Sequence, residues 1–286
     1  MTSRAKGIVA ITASAFGFAL MAAFVRLADD FGGPISSFQK SFFRNVVALA
    51  IALAVFARRG RIPLFGGLSP KSFGLLVLRS LIGTCGIFAN FYALGLVPIA
   101  DGQTLNKTAP FFTVAFAWLF LGERASARQA GALAIAFAGV AFVVKPGFAG
   151  ALALPLAIGL LGGVCAGGAY ACVRALRRYE ADPAFIVVFF SAFSCLASVP
   201  FMVARFDPMT WSQVAILFGA GVGAAIGQFG ITLAYGYAAP RDIAVYDYSN
   251  ILFTAALGFV FFGQIPDAWS VLGFALILFA AFRLNR

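Results

Sequence analysis

Residues 184–234 read AFIVVFFSAFSCLASVPFMVARFDPMTWSQVAILFGAGVGAAIGQFGITLA. The segments 184–204 and 211–234 carry no charged side chain, and only RFDPMT separates them. A helix needs about 20 apolar residues to cross a hydrocarbon core of about 30 Å. The stretch therefore predicts two spanning helices joined by a short turn. Outward from it the pattern recurs at 7–28, 36–57, 72–92, 98–121, 127–145, 152–174, 242–262 and 267–283. The expected fold is an all-α membrane protein with ten transmembrane helices forming a single unit over 1–286. With 62% apolar and 11% charged residues, too little polar surface remains for a water-facing globule. The first segment follows Arg4 and Lys6 but is too long for a signal peptide and lacks a clear cleavage site, so it reads as helix 1.

Composition also narrows the chemistry. The net charge of +11 is spread over the ends of apolar segments, which speaks for topology rather than for a nucleic-acid surface. Cys85, Cys165, Cys172 and Cys195 fall inside spans and read as packing residues. With no histidine and only scattered acids, no metal site, cofactor or paired-carboxylate centre is expected. No loop is long enough to fold into a catalytic domain, and no phosphate-binding Gly-Lys loop is present.

Charge placement predicts orientation. Arg4, Lys6, Arg58, Arg59, Arg61, Lys71, Arg124, Arg128, Arg174, Arg177, Arg178, Arg241, Arg283 and Arg286 fall on one face, against Lys145 and Arg205 on the other. The positive-inside rule then puts both termini in the cytoplasm of an inner or plasma membrane protein. The chain also matches itself. At an offset of 141, residues 93–123 align with 234–264 through the identities Ala93/Ala234, Gly95/Gly236, Asp101/Asp242, Phe112/Phe253, Thr113/Thr254, Ala115/Ala256, Phe120/Phe261 and Gly122/Gly263. That register predicts two five-helix halves, 7–145 and 152–283, entering the membrane in opposite directions because five is odd. Inverted halves around a central cavity are a transporter architecture.

The run 91–143, FYALGLVPIADGQTLNKTAPFFTVAFAWLFLGERASARQAGALAIAFAGVAFV, and its counterpart 233–277, LAYGYAAPRDIAVYDYSNILFTAALGFVFFGQIPDAWSVLGFALI, carry a family resemblance. Gly95, Pro110, Gly122 and Glu123 stand where that pattern has its small-residue turn, its proline-containing helix 4 and its Gly-Glu pair. The chain resembles the drug/metabolite transporter (DMT) superfamily, in particular its ten-helix EamA-like exporters, and more narrowly the YddG-like amino-acid exporters. The resemblance implies a basket of ten helices and alternating access without ATP. Gln264 replaces the expected second Glu, which weakens a symmetric role for that carboxylate. Glu123 reads as an interfacial cap or salt-bridge residue.

Charges inside a bilayer are costly, so each invites a functional reading beside a structural one. Lys40 and Arg44 share a face of helix 2: they either snorkel and pair with Asp29 or Asp30, or line an outer vestibule. Arg79 either snorkels or lines an inner gate. Gln103, Asn106 and Lys107 precede Pro110, which should kink helix 4 beside a cavity. In the repeat register Asn106 corresponds to Asp247 and Lys107 to Tyr248. Counting helical rise leaves an axial gap of about 7 Å between Lys107 and Asp247, which a lysine side chain nearly spans. Tyr246, Tyr248 and Asn250 surround Asp247, while Tyr170 and Gln228 are further cavity candidates. Tyr92, Tyr235 and Tyr237 read as interfacial belt residues. Gly159, Gly163 and Gly167, like Gly219, Gly223 and Gly227, form small-residue ridges for close helix packing.

The resulting expectation is a secondary exporter of small metabolites, amino acids first among them. Five basic residues against the single intramembrane acid Asp247 favour substrates bearing a carboxylate. A sugar-phosphate or nucleotide-sugar exchanger is the alternative within transporters, and a membrane scaffold without transport is the alternative outside them. An intramembrane enzyme fits poorly with the missing histidine and metal ligands. The bilayer is the expected partner; the oligomeric state stays open and is compatible with a monomer.

Overall fold

A computed structural model describes residues 2–58, 69–96, 103, 105–144, 153–204, 206–263, 265 and 268–285. Arg59, Arg61, Asp101, Lys145, Arg205, Gln264 and Arg286, each given weight above, lie outside the described residues.

The helices are α1 (Ser3–Asp30), α2 (Ser37–Arg58), α3 (Pro70–Leu96), α4 (Ala109–Leu121), α5 (Ala127–Val144), α6 (Ala153–Arg178), α7 (Pro183–Ala204), α8 (Trp211–Tyr237), α9 (Ser249–Phe262) and α10 (Ala268–Asn285). A short turn, Pro240–Ile243, and a 3₁₀ stretch, Ala244–Tyr248, lead into α9. Local chemistry marks the ends. Thr2 caps α1 by accepting from the Ala5 amide, and Thr210 with Gln213 forms a capping box on α8. Asp182 accepts from the amides of Ala184 and Phe185 at the start of α7. Gly122 ends α4 and Gly263 ends α9, both in the left-handed region at φ 68° and 63°, where glycine alone is unstrained. These two positions are a repeat-related pair.

Among the described residues, seven helical segments are long and apolar enough to cross a membrane, and three shorter apolar helices accompany them. The outside is as greasy as the inside: Leu196, Val203, Phe120 and Val260 are largely exposed, while Gln39, Arg44, Asn45, Arg79 and Gln228 are buried. That is the distribution of a protein whose solvent is lipid. The chain is an all-α, multi-span membrane protein.

Packing carries an internal echo. α1 packs on α8 as α3 packs on α6, α4 packs on α6 as α1 packs on α9, and α2 pairs with α7 as α5 pairs with α10. Exchanging the first five helices with the last five swaps the members of the first two comparisons and maps α2–α7 and α5–α10 each onto itself. Small residues permit the tightest of them. A Cβ placed on Gly17 would lie 2.6 Å from the Gly227 nitrogen and 2.8 Å from the Gly223 carbonyl, so the backbones of α1 and α8 nearly touch. Ser14 Oγ donates to the Gly227 carbonyl across the same seam at 2.7 Å.

Candidate functional site

The centre is built on two interruptions. The sequence predicts continuous helices over 98–121 and 242–262, yet Lys107 and Thr108 form a turn before α4, and the 3₁₀ stretch precedes α9. Pro110 corrects the expectation of a mid-helix kink. It stands in the first turn of α4, where its missing N–H has no intrahelical carbonyl to satisfy. Thr108 Oγ1 donates to the Leu105 carbonyl at 2.7 Å and helps close the turn. The interruptions bring Lys107 and Asp247 together: Nζ lies 3.2 Å from Oδ2, with both side chains 4% exposed. The second carboxylate oxygen, Asp247 Oδ1, is buried without a hydrogen-bond partner.

Beside this pair lies a cavity of about 60 Å³, room for about two water molecules. Arg44 from α2, Arg79 and Asn90 from α3, Tyr170 from α6 and Gln228 from α8 reach it, together with Gln103, Asn106 and Lys107. Arg79 Nη2 donates to Gln228 Oε1 at 2.7 Å, and its guanidinium carbon sits 3.4 Å from the centroid of Phe190. Arg44 lies 5.9 Å from the centroid of Phe91. Both arginines are almost completely buried, and Nε and Nη1 of each lack an acceptor. Among the described residues neither pairs with a carboxylate. Lys107 is paired with Asp247; among the described residues the two guanidiniums face aromatic rings and one amide oxygen, so the described lining of the cavity is positively charged.

Other expected residues fall elsewhere. Lys40 pairs with Asp29 at 2.6 Å, away from the cavity, as one of its two sequence readings has it. Tyr246, Tyr248, Asn250 and Asp247 are not among the cavity's lining residues. Asn250 instead fixes α9 to α1, its Nδ2 donating to the Ala15 carbonyl at 2.6 Å. Tyr248 is fully buried in an apolar cluster with Val114, Ala136 and Ile277. Tyr235 corrects the belt expectation: it is fully buried, 6.0 Å from Tyr170 by ring centroids, because α8 turns that face inward. Tyr92 and Tyr237 are exposed. Sequence reading missed Asn90, whose Oδ1 is buried without a partner, and Phe190 and Phe91. A polar amide inside helix 3 was a usable signal for Asn90. Nothing distinguished two aromatic rings among 34 phenylalanines.

Polar networks tie the helices together at both ends of the assembly. At the end carrying the arginine-rich turns, Glu123 accepts from Arg174 Nε at 2.8 Å and also from Arg178. Arg174 further donates to the Tyr235 carbonyl, Arg241 to the Arg124 carbonyl, and Gln129 to Asp242. At the opposite end Gln39 exchanges hydrogen bonds with the Asp207 backbone, and Asp207 Oδ2 accepts from the Ser36 amide. Gln213 donates there to the carbonyls of Ala28 and Gly33.

A central cavity lined by buried basic and amide side chains is consistent with the comparisons with known proteins. Residues 5–145 match the EamA-like transporter family. The pseudopaline exporter CntI of Pseudomonas aeruginosa is 29% identical over 285 residues, 98% of this chain and 96% of that protein. A riboflavin transporter of Rhizobium johnstonii is 28% identical over 253 residues, 84% and 82% of the two chains. A protein crystal structure superposes with a TM-score of 0.76, covering 96% of this chain and 97% of its own at 20% identity, which shows the fold. Members of this family are transporters rather than enzymes, in agreement with the sequence reading. The chain is a secondary-transporter-like membrane protein of the drug/metabolite transporter superfamily, similar over residues 5–145 to its EamA-like members.

Proposed function

We propose that the protein exports small carboxylate-bearing metabolites, amino acids and their derivatives among them, across an inner or plasma membrane by alternating access. The observation that carries this reading is the pair of buried guanidiniums, Arg44 and Arg79, facing one cavity whose lining among the described residues holds no carboxylate. A guanidinium offers a fork that matches a carboxylate, and an anion entering the cavity supplies the acceptors that Nε and Nη1 lack. Gln103 and Asn90 bring amide groups for the rest of the substrate. At about 60 Å³ the cavity is too small for a metabolite, so transport requires the helices around it to separate on one side at a time.

The proposal extends to architecture: ten spans in two inverted five-helix halves, 7–145 and 152–283, with both termini cytoplasmic. The exchange-symmetric packing supports the halves, and the basic turns support the orientation. In this reading Lys107–Asp247 is a contact that parts during the cycle. The same guanidiniums would also recognise a phosphoryl group, which keeps a sugar-phosphate exchanger as the second reading.

Flux into proteoliposomes loaded with a panel of amino acids, dicarboxylates, sugar phosphates and organic cations tests this. Carboxylates should move, and Arg79→Gln should lower their flux at least tenfold in folded protein. Transport confined to organic cations would overturn the assignment; transport confined to sugar phosphates would select the second reading.

A further inference from the structure

A second, larger cavity of about 670 Å³ opens on the flank of the protein between α3, α4 and α6. It is separate from the central one and shares no lining residue with it. Its floor is formed by Gly168, Ala171, Cys172 and Ala175 of α6, the last three buried and Gly168 half-buried. Its walls are apolar and partly exposed, with Leu78 on one side and Phe120, ring-stacked on Phe116, on the other. At its mouth stand two cations and a phenol. Lys71 sits 5.6 Å above the Tyr179 ring, and Arg178, its side chain 43% exposed, reaches from the end of α6. Among the described residues no carboxylate lines the cleft, and the nearby Glu123 is already shared between Arg174 and Arg178.

The dimensions are those of one leaflet. From Lys71 to Ile82 along α3 the rise is about 16 Å at 1.5 Å per residue, half of a hydrocarbon core of about 30 Å. Lys71, Leu75, Leu78 and Ile82 follow the spacing of one helix face, so charge marks one end of the groove and apolar surface the rest. We propose that this cleft is a binding site for an anionic phospholipid of the leaflet on the arginine-rich side. The phosphate sits between Lys71 and Arg178, and an acyl chain lies along Leu75, Leu78 and Phe116. Such a lipid would brace α4 against α3 and α6, and α4 directly follows the turn that holds Lys107.

The test uses the purified full chain in detergent micelles doped with phosphatidylglycerol or with phosphatidylcholine of equal chain length. Lipid retained per protein is read by native mass spectrometry. Phosphatidylglycerol should be retained preferentially, and Lys71→Gln and Arg178→Gln should each weaken it about fivefold, the factor for ~1 kcal/mol per basic residue at an anionic surface. Arg128→Gln, exposed on the same side but outside the cleft, should change nothing. Equal retention of both lipids, or an equal loss in Arg128→Gln, would overturn the proposal. So would displacement of the lipid by soluble glycerol phosphate at the same concentration. Lys71→Gln keeps the test decisive if Arg178→Gln fails to fold, because Lys71 is exposed and its partner among the described residues is the side chain of Tyr179. The readout is independent of flux, so failure here leaves the transport reading standing.

Discussion

Replacing one member of the Lys107–Asp247 pair gives the sharpest test of the central site. With both side chains 4% exposed and 3.2 Å apart, Lys107→Met leaves Asp247 as a buried charge without a counter-ion, and Asp247→Leu does the reverse. Removing one partner of a buried ion pair costs about 3–5 kcal/mol, whereas replacing both with apolar residues is often neutral. At roughly 2–3 °C per kcal/mol for a chain of this size, each single variant should melt some 6–15 °C lower in detergent. The double variant should return to near the parent. The double-mutant cycle therefore reads a coupling of about 6–10 kcal/mol, the sum of the two single losses. Flux should remain lost in the double variant even though stability returns, because a contact that must part and re-form has been replaced by one with no reason to part. Additive losses in the double variant would refute the pairing. Normal flux in the stable double variant would make the pair a static strut.

Cysteines placed in the turns at Arg124 and Arg178 should resist an impermeant thiol reagent in intact cells, and efficient outside labelling would reverse the orientation. Cysteines along α2 near Lys40 and Arg44, and along α9 near Asp247 and Tyr248, should change accessibility in opposite senses when substrate is added; labelling indifferent to substrate at every position would favour a static channel or scaffold. Gly17→Ala should destabilise the fold by about 1–3 kcal/mol because its Cβ would meet the α8 backbone at 2.6 Å. Gly131→Ala on α5, where a Cβ meets nothing within 4 Å, should be neutral or stabilise by about 0.5–1 kcal/mol, as measured by thermal melts of both variants.

Much of the fold was legible because membrane insertion is a local property. A segment such as 211–234 needs no partner to declare itself a span, since the bilayer requires about 20 apolar residues wherever they stand. The αL glycines 122 and 263 were likewise readable as a repeat-related pair, because helix termination is written in the residues at the terminus. Those local rules failed where a backbone leaves the helix for a tertiary reason. The apolar patterns at 98–121 and 242–262 carry no mark of the turn at Lys107–Thr108 or of the 3₁₀ stretch, and Pro110 reads equally as a kink or as a first-turn residue.

Which charges face one another is a question of separations in space that one-dimensional spacing does not contain. Lys40 and Arg44 share a face of α2, yet Lys40 has Asp29 at 2.6 Å while Arg44 is turned onto Phe91 beside the cavity. Sequence alone determined that the protein spans a membrane many times and that residues 93–123 and 234–264 resemble one another, and it set the expectation that the basic residues gather at one end. Only the tertiary structure decided that Arg79 meets Gln228 and Phe190 from distant helices, and that Lys107 finds Asp247. The energy of a buried charge depends on its neighbours within a few ångströms, and those neighbours are chosen by the packing of whole helices.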